Sequence, residues 1–190
     1  MKNMKFTTTI LMAIISFAPT AVLAKQKYPI TQSIEASETT YTQQLAIEVG
    51  DRPNHQVRIY EIRRRHESTP MVFRDVKVKE SWSRGTSDYA DTNGQTVGYT
   101  VYNLENGDRI FTRYTGTVQS INRPDGTREY VYHGVTTFAG GTGGFRNIRG
   151  QMRDVTKGAS KAGKALSNES TGEGGVLVRG IGNVDTSSVT

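Results

Sequence analysis

Between Val72 and Ser83, two charged side chains fall on an otherwise apolar strand pattern. Val72, Arg74, Val76, Val78, Glu80 and Trp82 alternate with Phe73, Asp75, Lys77, Lys79, Ser81 and Ser83, the period of a β-strand with one apolar and one wet face. Arg74 and Glu80 are six residues apart, roughly 20 Å along a strand, so they do not pair with each other. On an inward face each needs a partner or a ligand, because an unpaired buried charge is costly. At opposite rims both are solvated and structural. Tyr99, Tyr102, Tyr114, Tyr130 and Tyr132 supply aromatic surface with polar tips wherever their faces turn inward, with core packing as the default role. The ligand-binding candidates are therefore Arg74, Glu80, Trp82, Tyr102 and Tyr114, and no catalytic residue is identified.

Other motifs fail on specific positions. Gly158 to Ala165 (GASKAGKA) has the glycine and lysine spacing of a phosphate-binding loop, yet Ala165 stands where a hydroxyl must hold Mg²⁺. Gly141-Thr142-Gly143 begins a dinucleotide fingerprint, but Arg146 occupies the third glycine position and no apolar helical stripe follows to offer a helix N-terminus. His55, His66 and His133 lack metal-ligand spacing. No Gly-x-Ser-x-Gly elbow is present. With no cysteine there is no disulfide, thiolate metal site or cysteine nucleophile. Neither a cofactor nor a metal is implied. Arg63-Arg64-Arg65 is the one basic run and is broken by His66 and Glu67, so nucleic acid is not an expected partner.

The N-terminus predicts the compartment. Lys2 and Lys5 precede an uncharged, mostly apolar stretch from Phe6 to Ala18, and Ala21-Val22-Leu23-Ala24 ends in small residues suited to cleavage. The stretch is shorter than a bilayer span and Pro19 interrupts it, so residues 1–24 read as a signal peptide without stable membrane insertion. Removing them leaves 166 of the 190 residues, one domain by size, and lowers the net charge from +6 to +4. A secreted or periplasmic protein is expected.

What positions the candidates is a succession of strands. Residues 25–40 read as an extended arm, followed by strands at 43–49 and 56–64 and the alternating run from Val72. Thr96–Leu104 and Arg109–Asn122 flank an Asn106-Gly107 turn in which both central residues can take positive φ. Arg123-Pro124-Asp125-Gly126 turns the chain into a strand over 127–138. Shorter strands follow at 150–155 and 175–181, separated by a Gly, Ser and Lys-rich flexible loop at about 156–174. Consecutive hairpins make an antiparallel meander, which best removes its edges by closing into a barrel. The expected fold is all-β: an eight-stranded antiparallel up-and-down barrel over residues 41–190, wide enough for side chains or one small ligand.

The block Gly141-Thr142-Gly143-Gly144-Phe145-Arg146-Asn147-Ile148-Arg149-Gly150 resembles the glycine signature near the last hairpins of the dirigent and allene oxide cyclase-like barrels. Gly85-Thr86-Ser87-Asp88-Tyr89 and Gly107 to Thr117 resemble the order of blocks in small bacterial members of that superfamily. The resemblance implies a barrel, often trimeric, with an apolar cavity open at one end. It also implies chemistry guided by cavity shape, with few or no covalent steps by the protein. The leading expectation is an exported protein that holds a small, largely apolar ligand in the barrel without covalent catalysis. The alternatives are an isomerase or cyclase using the cavity as a template, and a structural or interaction protein acting as a homotrimer.

Overall fold

A computed structural model describes residues 27–34, 36–161 and 164–177. The expected signal segment lies outside them, as do residues 178–181 of the last expected strand. Ten strands follow one another: β1 Lys27–Ser33, β2 Thr39–Glu48, β3 His55–Arg65, β4 Val72–Phe73, β5 Val76–Ala90, β6 Asn93–Leu104, β7 Arg109–Asn122, β8 Thr127–Gly141, β9 Arg149–Lys161 and β10 Lys164–Leu177. Two short 3-10 turns, Ala36–Glu38 and Gly143–Phe145, complete the described elements, and none is an α-helix.

Every pairing is antiparallel, in the order β1-β10-β9-β8-β7-β6-β5-β3-β2, with β4 paired to β5. The sheet is open. No ladder joins β1 to β2, which corrects the expected closed eight-stranded barrel. The residues that closure would have to pair lie in the extended arm and in β2, on either side of the Ala36–Glu38 turn. That short connection turns the chain from one edge strand to the other.

The sheet nevertheless curls strongly. Tyr60 on β3 and Tyr132 on β8 are four strand spacings apart, about 19 Å along a flat sheet, yet the Tyr132 phenol senses Tyr60 through space. Arg128 on β8 likewise shares a groove with Asn54, Gln56 and Arg58 from the start of β3. Curling turns one face of β3 and of β5 through β9 inward.

Alternation is clearest on β6. On β6, Thr96, Thr100, Tyr102 and Leu104 are buried while Gln95, Val97 and Tyr99 are exposed. At the end of the trough carrying the β6–β7 turn, Val78, Leu104, Ile110, Phe138 and Met152 form an apolar core. Phe73, folded over it by β4, meets Tyr102 and Phe138 edge-on at centroid distances of 5.7 and 5.9 Å. Toward the other end the inward residues become Tyr, Thr, Ser and Gly.

Two irregularities break the expected single strand from Val72. Arg74 and Asp75 take φ of 45° and 67°, the two left-handed positions of a tight hairpin turn between β4 and β5. A bulge between Val78 and Glu80 then adds one residue against β6. Since strand side chains alternate with period two, one extra residue sends everything beyond it to the opposite face. Val78 is therefore buried with Leu104, and Glu80 and Trp82 point outward.

The other turns divide. Gly126 takes φ +80° after Pro124, as its sequence predicts. At 106–107 only Gly107 is left-handed, at φ +85°, with Leu104 N donating to Asp108 O at 2.9 Å and Gly107 N to Leu104 O at 3.0 Å. Where the composition predicts a flexible loop, β9 runs on to Lys161 and pairs with β10 from Lys164. The extended arm supplies β1, which pairs with β10. Ladder hydrogen bonds need only backbone, so a Gly, Ser and Lys-rich text supports a hairpin that lacks any apolar period.

Candidate ligand site on the concave face

The inward face away from the apolar core is built from tyrosines lying over glycines. Tyr60 on β3 and Tyr114 on β7 reach toward each other across β5 and β6, and their hydroxyls meet at 2.8 Å. Between them run Gly85 and Gly98, paired directly across the two strands. A Cβ at either glycine would collide with the Tyr114 hydroxyl, so the absence of side chains is what lets the ring lie flat. Tyr132 on β8 lies in the same way over Gly116 and Gly134.

Tyr60, Tyr89, Tyr114, Tyr130 and Tyr132 are all half-buried, so the trough keeps contact with solvent. Burial pushes the Tyr89 phenol up to about 12. Burial is also the first cause of the upward shifts of Tyr114 and Tyr132, reinforced for Tyr114 by neighbouring Tyr60 and for Tyr132 by Asp154. These phenols are neutral hydrogen-bonding groups at physiological pH.

Asp154 on β9 is the acid of the face. Thr136 donates its hydroxyl to Asp154 Oδ2 at 2.6 Å. Burial outweighs that bond and raises the carboxyl to about 6. Arg64 on β3 enters the same face and donates to Ser83 Oγ at 3.2 Å. Arg58 donates through Nε to Ser87 Oγ at 3.1 Å and lies 4.9 Å over the Tyr89 ring. At the mouth, Arg58 and Tyr89 join Asn54, Gln56, Asp91, Thr92 and Arg128 around a groove of about 240 Å³.

The five sequence candidates do not converge. Arg74 stands on the exposed β4–β5 turn. Glu80 accepts hydrogen bonds from Arg63 Nη2 at 2.7 Å, Trp82 Nε1 at 3.0 Å and Asn103 Nδ2 at 3.1 Å, all on the outer face. The Trp82 bond, the largest cause, together with Arg63 and Asn103, holds its carboxyl below the usual range. Trp82 lies between Arg63 and Arg84, whose guanidiniums sit 5.5 and 5.6 Å from its ring. Tyr102 is buried in the apolar core, and Tyr114 alone of the five lies on the half-open concave face. A template reading that uses Arg74 or Glu80 as its inward polar group finds neither there.

Tyr60, Arg58, Tyr89 and Asp154 are the concave-face residues that the sequence reading passed over. Their signal is cross-strand complementarity: a tyrosine pattern on one strand against glycine, serine and threonine at matching positions on its neighbours. That pattern becomes visible only when the register is known.

A second groove of about 600 Å³ lies at the opposite end, lined by Arg63, Arg65, His66, Lys77, Glu80 and Glu105 among others. Its arginines already have carboxylates, Arg63 with Glu80 at 2.7 Å and Arg65 with Glu67 at 3.6 Å. His66 at its edge is buried, bonded to Ser81 Oγ at 3.0 Å and driven down to about 4 by burial and then by Arg64. Only the arginines of this rim are thus neutralised locally.

The chain matches no protein-family model, no curated protein and no solved structure.

Proposed function

We propose that this chain is an exported binding protein that holds a small, largely apolar ring-bearing ligand on its concave tyrosine face, without covalent catalysis. The observation that carries the reading is the set of half-buried tyrosines laid over glycines. Flat phenol faces with fixed hydroxyls offer broad apolar contact and a few directed hydrogen bonds at small entropic cost. A side-chain-filled core at one end and a wet groove at the other give the face one closed and one open end. The resemblance to the dirigent-like barrels points the same way.

Native mass spectrometry of protein purified from its own host reports any retained ligand. Titration with benzyl alcohol, followed through the ring resonances of the nine tyrosines, locates the contact. Shifts confined to Tyr60, Tyr89, Tyr114, Tyr130 and Tyr132, weakened by Tyr114→Ala and unchanged by Tyr99→Ala on the outer face, are the expected result. Shifts centred on Tyr99, or none at millimolar ligand, remove the reading.

A second reading is favoured by the outer face. Leu45 and Ile47 on edge strand β2 pair with Ile59 and Val57 on β3, and all four are exposed. Beside this patch, β2 has no strand paired to its outer edge among the described residues, and it carries no proline or lysine to block pairing. An interaction protein acting as a homo-oligomer, trimeric if the family resemblance holds, would cover it. Light scattering across a concentration series, with Leu45→Lys and Ile59→Lys as breaking variants, tests this. A monomer at every concentration rejects it.

A further inference from the structure

Two arginines from distant strands converge at the mouth without a carboxylate between them. Arg58 comes from β3 and Arg128 from β8, and only the curl of the sheet brings them to one groove. Among the described residues, neither guanidinium has a carboxylate within 4.0 Å, whereas Arg63, Arg84 and Arg123 each do. Each makes its side-chain hydrogen bond through Nε, Arg58 to Ser87 and Arg128 to Asn122 Oδ1 at 2.8 Å, and Arg58 also stacks on Tyr89. The terminal nitrogens of both remain for another acceptor. The one acid of the groove, Asp91, accepts instead from Asn54 Nδ2 at 2.7 Å.

We propose that this groove is an oxyanion subsite, in which Arg58 and Arg128 take the carboxylate or phosphate end of a ligand whose ring lies along the tyrosines. Like charges brought together in a half-enclosed site repel until an anion enters, and planar guanidiniums grip carboxylate and phosphate oxygens through paired N–H donors. At about 240 Å³ the groove is smaller than the roughly 300 Å³ at which pockets enclose a whole small molecule. It takes a head group. Tyr89 lines the groove and also belongs to the concave face, so the head is continuous with the ring site. The ligand class is therefore an aromatic acid or an aryl phosphate. The ring's position rests on the concave-face reading; the anion's position does not.

The experiment is isothermal titration of the full chain with inorganic phosphate, benzoate, phenyl phosphate and benzyl alcohol, against Arg58→Gln, Arg128→Gln and an outer-face control, Arg113→Gln. The expected result is at least tenfold tighter binding of benzoate or phenyl phosphate than of benzyl alcohol. Either mouth variant should remove that gain while leaving benzyl alcohol and Trp82 fluorescence unchanged, and added salt should erode it. Benzoate and phenyl phosphate separate a carboxylate site from a phosphate site. If the charged ligands bind no tighter than benzyl alcohol, or bind equally to both mouth variants, the subsite is overturned with the tyrosine reading intact. If inorganic phosphate binds in an Arg58- and Arg128-dependent way while no ring adds affinity, the subsite stands and the tyrosine reading falls.

Discussion

The hydroxyls of Tyr60 and Tyr114 meet at 2.8 Å across two intervening strands, and the Tyr60 hydroxyl also meets Thr96 Oγ1 at 2.6 Å. Tyr60 is thus the hub, with two partners, and Tyr114 a spoke. Tyr114→Phe removes one bond and leaves Tyr60 satisfied by Thr96, an expected loss of about 1 kcal/mol. Tyr60→Phe removes both and should cost about twice as much. Urea unfolding followed by Trp82 fluorescence measures the two, and an equal or reversed ranking would contradict the hub.

The Tyr132 ring folds over Gly134 on its own strand, and the three heavy atoms nearest a Cβ at Gly134 would all belong to Tyr132. Gly134→Ala should therefore cost about 1 to 3 kcal/mol, the usual penalty for overpacking. In a Tyr132→Ala background the nearest obstacle is gone, so the same change should cost markedly less. A double-mutant cycle reads the coupling directly, and an unchanged Gly134→Ala cost in both backgrounds would show the contact to be irrelevant.

Strand existence was legible in this chain because alternation is a local property. The Arg109–Asn122 strand and the 123–126 turn fall where Pro124, Gly126 and period-two patterning place them. Faces were less legible than strands. The bulge before Glu80 has no residue type that announces it, yet it reverses every side chain after it, and Glu80 and Trp82 left the expected inner face for that reason alone. Tyr60 and Asp154 were invisible for a related cause, since their roles come from cross-strand register and curl. The long β9–β10 hairpin escaped notice because its pairing uses backbone groups that every residue carries. Phe145 and Ile148, the two apolar residues of the glycine block, are both buried in the core.

Asp154 carries an acid-side signature. Its folded carboxyl is raised to about 6 from the ordinary 3.8, so the folded state holds a proton that the unfolded state has released between those values. The penalty is fully present above pH 6 and disappears as pH falls below about 4. Asn keeps an oxygen for the Thr136 hydroxyl and carries no charge. Asp154→Asn should accordingly stabilise the protein by about 2 to 3 kcal/mol at pH 7, and by nearly nothing at pH 3.5. Urea midpoints at the two pH values check this, and a variant less stable at pH 7 would mean that the carboxylate has a cationic partner.

His66 works in the opposite sense. Its folded pKa is lowered to about 4 from 6.5, so on acidification the unfolded state takes a proton that the folded state refuses. Stability from this group is complete above pH 6.5 and falls until about pH 4, by about 3 kcal/mol in all. Asp154 gains over much of the same interval, so the two contributions cancel and the wild-type profile between pH 6.5 and 4 should be shallow. Single variants separate them. Asp154→Asn should expose a steep loss of stability toward pH 4, while His66→Gln, which retains an amide for Ser81 Oγ, should expose a gain. The double variant should be shallow again. Parallel profiles in all four proteins would rule out both buried groups as the source of the pH dependence.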